Sequence, residues 1–452
     1  MSPDHSARAP APVPALVIAL AIALTGPAAA RAYDNPAWTQ PQAPFHIVGD
    51  IYYVGSKGLA AYLIASPQGH VLIDGTVAEN APMIEANIRR LGFRLQDVKI
   101  LLNSHAHHDH AGALAQLKQD TGADLWSSPG DRWALEHGRP RGDNTAGLPP
   151  WPPVKVDRLL HDGEVIRLGP IALSTVFTPG HTPGCTSWTM DAVDRGQTYR
   201  VIFPCSLTVA GNVLVGNKAY PTIAADYRKT LGRLQAFDGA DVVLTAHPEV
   251  ADVIGRHTAQ ELGDKDPWGD SGQLGAILGD ARAELDRALG KPQPPHVPAA
   301  PPPDGTGWRN LIQAGEHFAI QFPAAPARTQ GRYDLDGSSS AAARVYTAKR
   351  SNVVYRLTVA DLPARAVDRE AIFRKAVERL SRGGVVRTYA EARIRTVYGR
   401  QISVERADGG RAVASVFIGQ GRLYEVEASA PGPDGRAASA DLVRFQQTLN
   451  LY

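Results

Sequence analysis

One eight-residue stretch constrains this chain more than any other. Asn103-Ser104-His105-Ala106-His107-His108-Asp109-His110 follows directly on Val98-Lys99-Ile100-Leu101-Leu102, a branched apolar run that reads as a buried strand. Within its last six residues, His105, His107, Asp109 and His110 carry side chains that ligate zinc through imidazole nitrogen or carboxylate oxygen. In a loop leaving a strand, the order H-x-H-x-D-H aims His105 and His107 at one ion and Asp109 and His110 at a second. Each ion then needs a further ligand from elsewhere in the chain. His181, in Thr178-Pro179-Gly180-His181-Thr182-Pro183-Gly184, and His247, in Thr245-Ala246-His247-Pro248, are placed to supply it, since each follows a stretch expected to be a strand. A chance surface cluster does not account for three histidine-bearing loops, all at strand ends.

Around these loops, from Phe45 to about Gly290, strand-like and helix-like stretches alternate. Ile51 to Val54, Ala60 to Ala65 and Val71 to Ile73 suggest a meander, and further strands are expected at 171–177, 187–190, 200–203 and 242–244. Met83, Ile84, Ile88 and Leu91 recur at helical spacing before Gly92, and helices are also expected over 224–237 and 273–289. Interleaved strands and helices call for sheets covered by helices. Residues 291–308 are Pro-dense and read as an extended linker. Beyond them, 309–452 reads as a separate, smaller α+β domain, with strands at 318–322, 355–359, 413–418 and 424–428 and helices at 369–380 and 442–449.

Charge and cysteine content remove several classes. The formal net charge is +2, so no global field points to nucleic acid or an anionic membrane. Two cysteines make neither a disulfide framework nor a four-cysteine zinc site. Ala15 to Thr25 (ALVIALAIALT) has the length of a signal-peptide apolar core, and Ala30-Arg31-Ala32 before Tyr33 offers a cleavage site. The run falls well short of the roughly 20 apolar residues of a membrane span. Residues 1–32 are therefore expected to be a removed signal peptide, leaving a periplasmic or secreted protein with no membrane span, in which 33–290 form the first domain.

H-x-H-x-D-H, then T-P-G-H-T-P-G, then a late histidine after a strand resembles the metallo-β-lactamase superfamily, over about Trp38 to Leu289. The resemblance implies an α/β fold, a four-layer αββα sandwich with metals at the sheet edges. It implies two Zn2+ ions per chain, one held by His105, His107 and His181, the other by Asp109, His110 and His247. The superfamily hosts many reactions, so the fold alone does not choose one. Members that cleave thioesters, lactones or phosphodiesters usually carry a bridging Asp between the positions of His181 and His247. Here that stretch is Ile202-Phe203-Pro204-Cys205-Ser206-Leu207, without a carboxylate. Classes with a Cys ligand place it in the same stretch, so Cys205 must be weighed. Subclass B3 enzymes have a serine there, which Ser206 matches by its distance from His181, and their third ligand is a histidine, as His110 would be. The flanks Tyr52-Tyr53-Val54-Gly55, Gly184-Cys185-Thr186-Ser187-Trp188-Thr189 and Asp226-Tyr227 also resemble subclass B3.

The resemblance thus implies a zinc-dependent hydrolase of penicillins, cephalosporins or carbapenems, conferring antibiotic resistance. Hydroxide held between the metals would attack the lactam carbonyl, with Asp109 as both ligand and orienting group. Ser206 and Thr208 resemble hydroxyls that contact the substrate carboxylate, and Asn212 resembles a group that polarises the carbonyl. A lactonase or thioesterase of the same fold is the alternative. Two readings stand for Asp74, orienting a ligand histidine or capping a turn, and two for Trp151, contacting substrate or anchoring the 138–153 loop. His70, His161 and His257 read as surface residues. Cys185 and Cys205 lie near the metal loops, and pairing between them stays open. The C-terminal domain is faintly similar to small PsbP-like α+β domains. It carries no His, Cys or carboxylate cluster and is expected to bind or tether a partner that the residues do not name.

Overall fold

Short branched runs parted by Gly- and Pro-bearing turns become the first sheet. The computed structural model describes residues 35–142, 144, 147–290, 307–363, 368–394, 397–432, 435 and 438–451. The expected signal segment and 291–306 of the expected linker lie outside the described residues. Phe45–His46, Ile51–Tyr53, Tyr62–Ile64 and His70–Ile73 pair antiparallel, then Val98–Leu102, Asp124–Ser127 and Arg158–Leu159 extend the sheet in parallel, in chain order. A second sheet contains Val165–Leu168, Ile171–Phe177, Thr186–Asp194 and Gln197–Phe203, antiparallel, with Val242–Val243 parallel at its edge.

Period-two alternation assigns the faces. Tyr62, Ile64, Val71, Ile73, Ile100 and Leu102 turn toward the second sheet and share a core with Leu173, Trp188, Val201 and Phe203. Their neighbours Leu63, Leu72 and Leu101 turn outward against Ile84 and Ile88 of Ala81–Arg90 and Leu114 and Leu117 of Leu114–Thr121. On the far side, Tyr227, Leu231 and Leu234 of Ile223–Leu234 and Leu274, Leu278 and Leu285 of Gln273–Ala288 join the core of the second sheet. The result is the four-layer αββα sandwich. Each such large apolar side chain contributes about 1.5–3 kcal/mol by leaving water.

The C-terminal portion is a β-rich domain. Arg309–Gln313, Phe318–Phe322 and Asn450–Leu451 form a small antiparallel sheet. A larger one runs Ala327–Asp334, Ser340–Arg350, Val353–Asp361, Arg422–Ala430, Arg411–Gly419, Val397–Arg406, Gly384–Ile394, antiparallel throughout. Along Arg411–Gly419, Val413 and Phe417 face Leu442, Val443 and Phe445 of Ser439–Gln447. Ala412, Ala414, Val416 and Ile418 face Ile372, Phe373 and Ala376 of Arg369–Leu380, so each face carries one helix.

Four of these long strands, 327–334, 340–350, 384–394 and 397–406, are absent from the sequence reading. Ala327–Asp334 exposes every side chain but Tyr333, so it has no apolar alternation to read. In Gly384–Ile394 only Ala390, Glu391 and Ala392 are buried. Trp308, the last residue of the expected linker, is buried against Tyr355 with ring centroids 5.6 Å apart. Among the described residues no helix is long and apolar enough to cross a membrane.

Candidate metal centre

The start of the loop that follows Val98–Leu102 is held by the Asp74 carboxylate. Asp74, just after His70–Ile73, accepts from the Ser104 backbone N–H at 2.6 Å, the Asn103 amide at 3.0 Å and the Ser104 hydroxyl at 2.6 Å. Its φ of 65° lies in the left-handed region, which costs a non-glycine residue on the order of 1 kcal/mol or more. Past the loop, the single turn His108–Ala111 is closed by the Ala111 N–H on the His107 carbonyl at 2.7 Å. That turn swings Asp109 and His110 back toward the strand ends. The ring of His110 brings Nδ1 to 3.5 Å from Asp74, so Asp74 serves the ligand loop as well as the turn.

His181 arrives from the loop between Ile171–Phe177 and Thr186–Asp194. Its Nδ1 donates to the Thr208 carbonyl at 2.7 Å, which also accepts from the Tyr227 hydroxyl at 2.6 Å. The other ring nitrogen is thereby presented to the cavity. His247 comes from the loop after Val242–Val243, with its Nδ1 3.7 Å from Glu249.

The structure brings all six residues together. His105, His107 and His181 each place a ligand atom within 4.8 Å of the others, and His181 Nε2 lies 3.1 Å from His107 Nδ1. Asp109 Oδ2 is 3.3 Å from Nε2 of both His110 and His247, and those two nitrogens are 3.2 Å apart. A ligand triangle around tetrahedral zinc at about 2.05 Å has edges of about 3.3 Å. His105, Asp109 and His110 also converge, which sets the two groups side by side.

Protonation suits a cation. Burial, reinforced by neighbouring imidazoles, holds His105 and His107 well below the usual histidine range, and burial takes His181 down to about 4. Neutral imidazole is the ligating form. Burial works against ionised Asp109, but His110 and His247 outweigh it and carry the carboxyl well below its ordinary range. Burial likewise opposes charge on His110, yet Asp109 and Asp74 lift it to about 10, so this corner calls for positive charge.

The sequence model of the metallo-beta-lactamase superfamily matches residues 58–247, which span this constellation. BJP-1, a subclass B3 metallo-beta-lactamase of Bradyrhizobium japonicum, superposes with a TM-score of 0.54 at 40% identity, covering 56% of this chain and 96% of that one. The chain belongs to the metallo-beta-lactamase superfamily. Among curated relatives it is similar to the hydroxyacylglutathione hydrolase GloC of Haemophilus influenzae, 31% identical over 142 residues, 28% of this chain and 67% of that protein. It is also similar to the mitochondrial persulfide dioxygenase ETHE1 of Homo sapiens, 34% identical over 123 residues, 27% of this chain and only 38% of the human protein. As a superfamily hydrolase it carries a His/Asp set consistent with zinc.

The other residues named from the sequence fall into two kinds. Ser206 and Thr208 are half-buried with their hydroxyls 3.2 Å apart, near His181. Asn212 is engaged with the loop itself. Its amide donates to the His181 carbonyl at 3.0 Å and its own carbonyl accepts from Asn144 at 2.9 Å, so it braces the His181 loop. Cys185 and Cys205 form a disulfide, which joins the His181 loop to the Ser206 loop and leaves Cys205 no free thiolate. Trp151 is buried in the outer core and anchors its loop, and His70, expected at the surface, is buried too.

Three contributors escape sequence reading. Asp131 ties the loops of His105 and His181 together, the Thr208 carbonyl orients His181, and Trp38 packs against His108 and His247 at ring distances of 5.7 and 6.0 Å. Nothing in the motif pattern marks a lone Asp, a carbonyl or an N-terminal Trp. Only the fold brings them in.

Proposed function

We propose that this protein opens the amide bond of a β-lactam ring with two Zn2+ ions bound per chain. One observation carries the reading. The triangle of Asp109, His110 and His247 closes at 3.2–3.3 Å without any carboxylate from 202–207, the stretch where thioester- and lactone-cleaving members usually place one. The 40% identity to a subclass B3 enzyme over nearly its whole length supports the same conclusion.

Bound zinc supplies Lewis acidity, which polarises a carbonyl and brings the acidity of water toward neutral pH. The residues do the rest. His105, His107 and His181 enter as neutral donors, and Thr208 and Tyr227 keep His181 in orientation. Asp109 has Oδ2 on the second triangle, and its carboxylate, held ionised by His110 and His247, would orient the attacking oxygen by accepting its hydrogen bond. Ser206 and Thr208 offer hydroxyls to a substrate carboxylate, while Trp38 forms an apolar wall beside His247.

An exported location is supported by the disulfide, since such bonds persist in oxidising compartments. A role in antibiotic resistance, with a small β-lactam as partner and no nucleic acid, follows from the same reading. A thioesterase or lactonase is the second reading, favoured by the similarity to GloC. Initial rates on a penicillin, a cephalosporin and a carbapenem, set against a glutathione thioester and a lactone, decide between them. β-Lactam turnover that vanishes with a chelator and returns with zinc is expected. Thioester or lactone turnover alone overturns the proposal.

A further inference from the structure

Of the six clustered residues, His247 lies nearest the rim, with its side chain 24% exposed while the other five residues are buried. Two segments hold it. Trp38, at the end of the turn Pro36–Trp38, packs on its ring, and the chain after His247 runs through Pro248 to Asp252 before Val253–Glu261 begins. Within that run the Val250 N–H reaches the His247 carbonyl at 3.1 Å, and the Val253 N–H reaches the Pro248 carbonyl at 2.8 Å.

Both segments are fastened from the C-terminal domain. Glu391, on Gly384–Ile394, accepts from the Asn35 side-chain N–H at 2.7 Å, while the side-chain oxygen of Asn35 caps the Trp38 turn by accepting from the Ala37 N–H at 3.1 Å. Arg400, directly across the hairpin, fixes the other Glu391 oxygen at 2.9 Å and is itself tied to Glu370 at 2.8 Å. Next to it, Gln401 donates to one oxygen of Asp252 at 3.1 Å, and Gln447 donates to the other at 3.1 Å. Asp252 has φ of 50° at the cap of Val253–Glu261, a conformation that persists where its surroundings hold it. Thr258 and Thr388 pair at 2.9 Å, Ala390 packs in the core of the αββα layers, and Ala259 packs in that of the C-terminal domain. A domain that only tethered a partner would have no need to grip both flanks of one metal-side loop.

We propose that the C-terminal domain is a structural part of the metal centre. Through Glu391, Gln401 and Gln447 it clamps the Asn35–Trp38 turn and Asp252, and so holds His247 at the spacing from Asp109 and His110 that a second cation requires. The clamp residues are positioning residues, none of them a ligand. The inference rests on the reading that Asp109, His110 and His247 hold that second cation.

The test uses the full-length, metal-free protein titrated with Zn2+ against a chromophoric chelator, with Co2+ absorption spectra as an independent view of each site. Wild type takes up two equivalents. Glu391→Ala and Gln401→Ala/Gln447→Ala should weaken the second equivalent about tenfold, within the range for changes behind a metal ligand, and leave the first within twofold. Asn35→Asp keeps the capping oxygen and sets a carboxylate against Glu391, so it should do the same without touching the C-terminal sheets. Thermal melts confirm that each variant is folded. A folded Asn35→Asp protein with both affinities unchanged overturns the clamp, as does equal weakening of the two sites. Uptake of a single equivalent by wild type overturns the two-cation reading itself, before the clamp is in question.

Discussion

The carboxylate of Asp131 accepts a 2.9 Å hydrogen bond from the backbone N–H of Ala106, the residue between His105 and His107. The same group takes the Thr182 hydroxyl at 2.8 Å and the Gly184 N–H at 2.9 Å, on the far side of His181. One buried side chain therefore sets the distance between two ligand loops whose histidines, His107 and His181, are 74 residues apart in sequence. The approach is close enough that a Cβ on Gly184 would lie 2.2 Å from the Asp131 nitrogen. Asp131→Ala strands three donors in the interior, each at a cost of about 1–3 kcal/mol. Expected are a lower melting temperature and at least a tenfold loss of kcat/KM, measured on the zinc-loaded protein. Unchanged kinetics in a folded variant would falsify the stapling role.

Asp131 also makes a pH dependence. Burial outweighs its three hydrogen bonds and raises its carboxyl to about 6. A folded-state pKa above the unfolded one means that the folded protein binds the proton more tightly. The resulting stability is fully present below about 3.8 and is lost as pH rises through about 6. The span corresponds to on the order of 3 kcal/mol. Wild type should therefore gain on Asp131→Asn as pH falls from 7.5 toward 4, read as the difference between their denaturant unfolding free energies. A difference that stays flat across this range places the carboxyl at its ordinary pKa.

Asp74 faces His110 with Nδ1 3.5 Å from its carboxylate, and it also fixes Asn103 and Ser104. Removing a carboxylate behind a ligand histidine typically weakens metal binding 10–100-fold. Asp74→Ala and Asp74→Gly should both lose affinity to about that extent in a zinc competition titration. They should differ in melting temperature, because glycine adopts the φ of 65° without strain and alanine does not. Equal melting of the two variants would remove strain from the account of this position.

How much of this was legible beforehand follows from where each signal lives. The metal loops were, because ligand chemistry demands particular side chains and His105 through His110 crowd them into one run. Sheets covered by helices were, because the branched apolar run Val98–Leu102 reads as a buried strand, while the αββα order was implied by the family resemblance that the metal loops carry. The C-terminal sheet was only half legible, since strands such as Ala327–Asp334 present polar side chains to solvent and are held by backbone pairing that leaves no trace in composition. The loop contacts of Asn212 were illegible for a related reason. An amide in a loop gives no sign in sequence that it pairs with the His181 carbonyl and with Asn144. Asp131, Glu391 and Gln401 matter through partners distant in sequence, and proximity of that sort exists only after folding.

The disulfide bears on which residues are ligands. Cys205 lies one residue from Ser206, in the stretch where other classes of the superfamily place a metal-binding cysteine, and here it is bonded to Cys185 at a sequence separation of 20. Closing a loop of that length stabilises by about 3 kcal/mol through the unfolded chain. If the bond serves only to tie the His181 and Ser206 loops, Cys185→Ser/Cys205→Ser should unfold at lower denaturant yet bind the same equivalents of zinc with kcat within a few-fold. If Cys205 were instead a ligand, the variant would lose one equivalent, and reducing the wild-type protein would change its Co2+ spectrum by adding a sulfur-to-metal charge-transfer band. The triangle of Asp109, His110 and His247 already supplies three protein ligands without that sulfur, so the spectrum of the reduced protein should match that of the oxidised one.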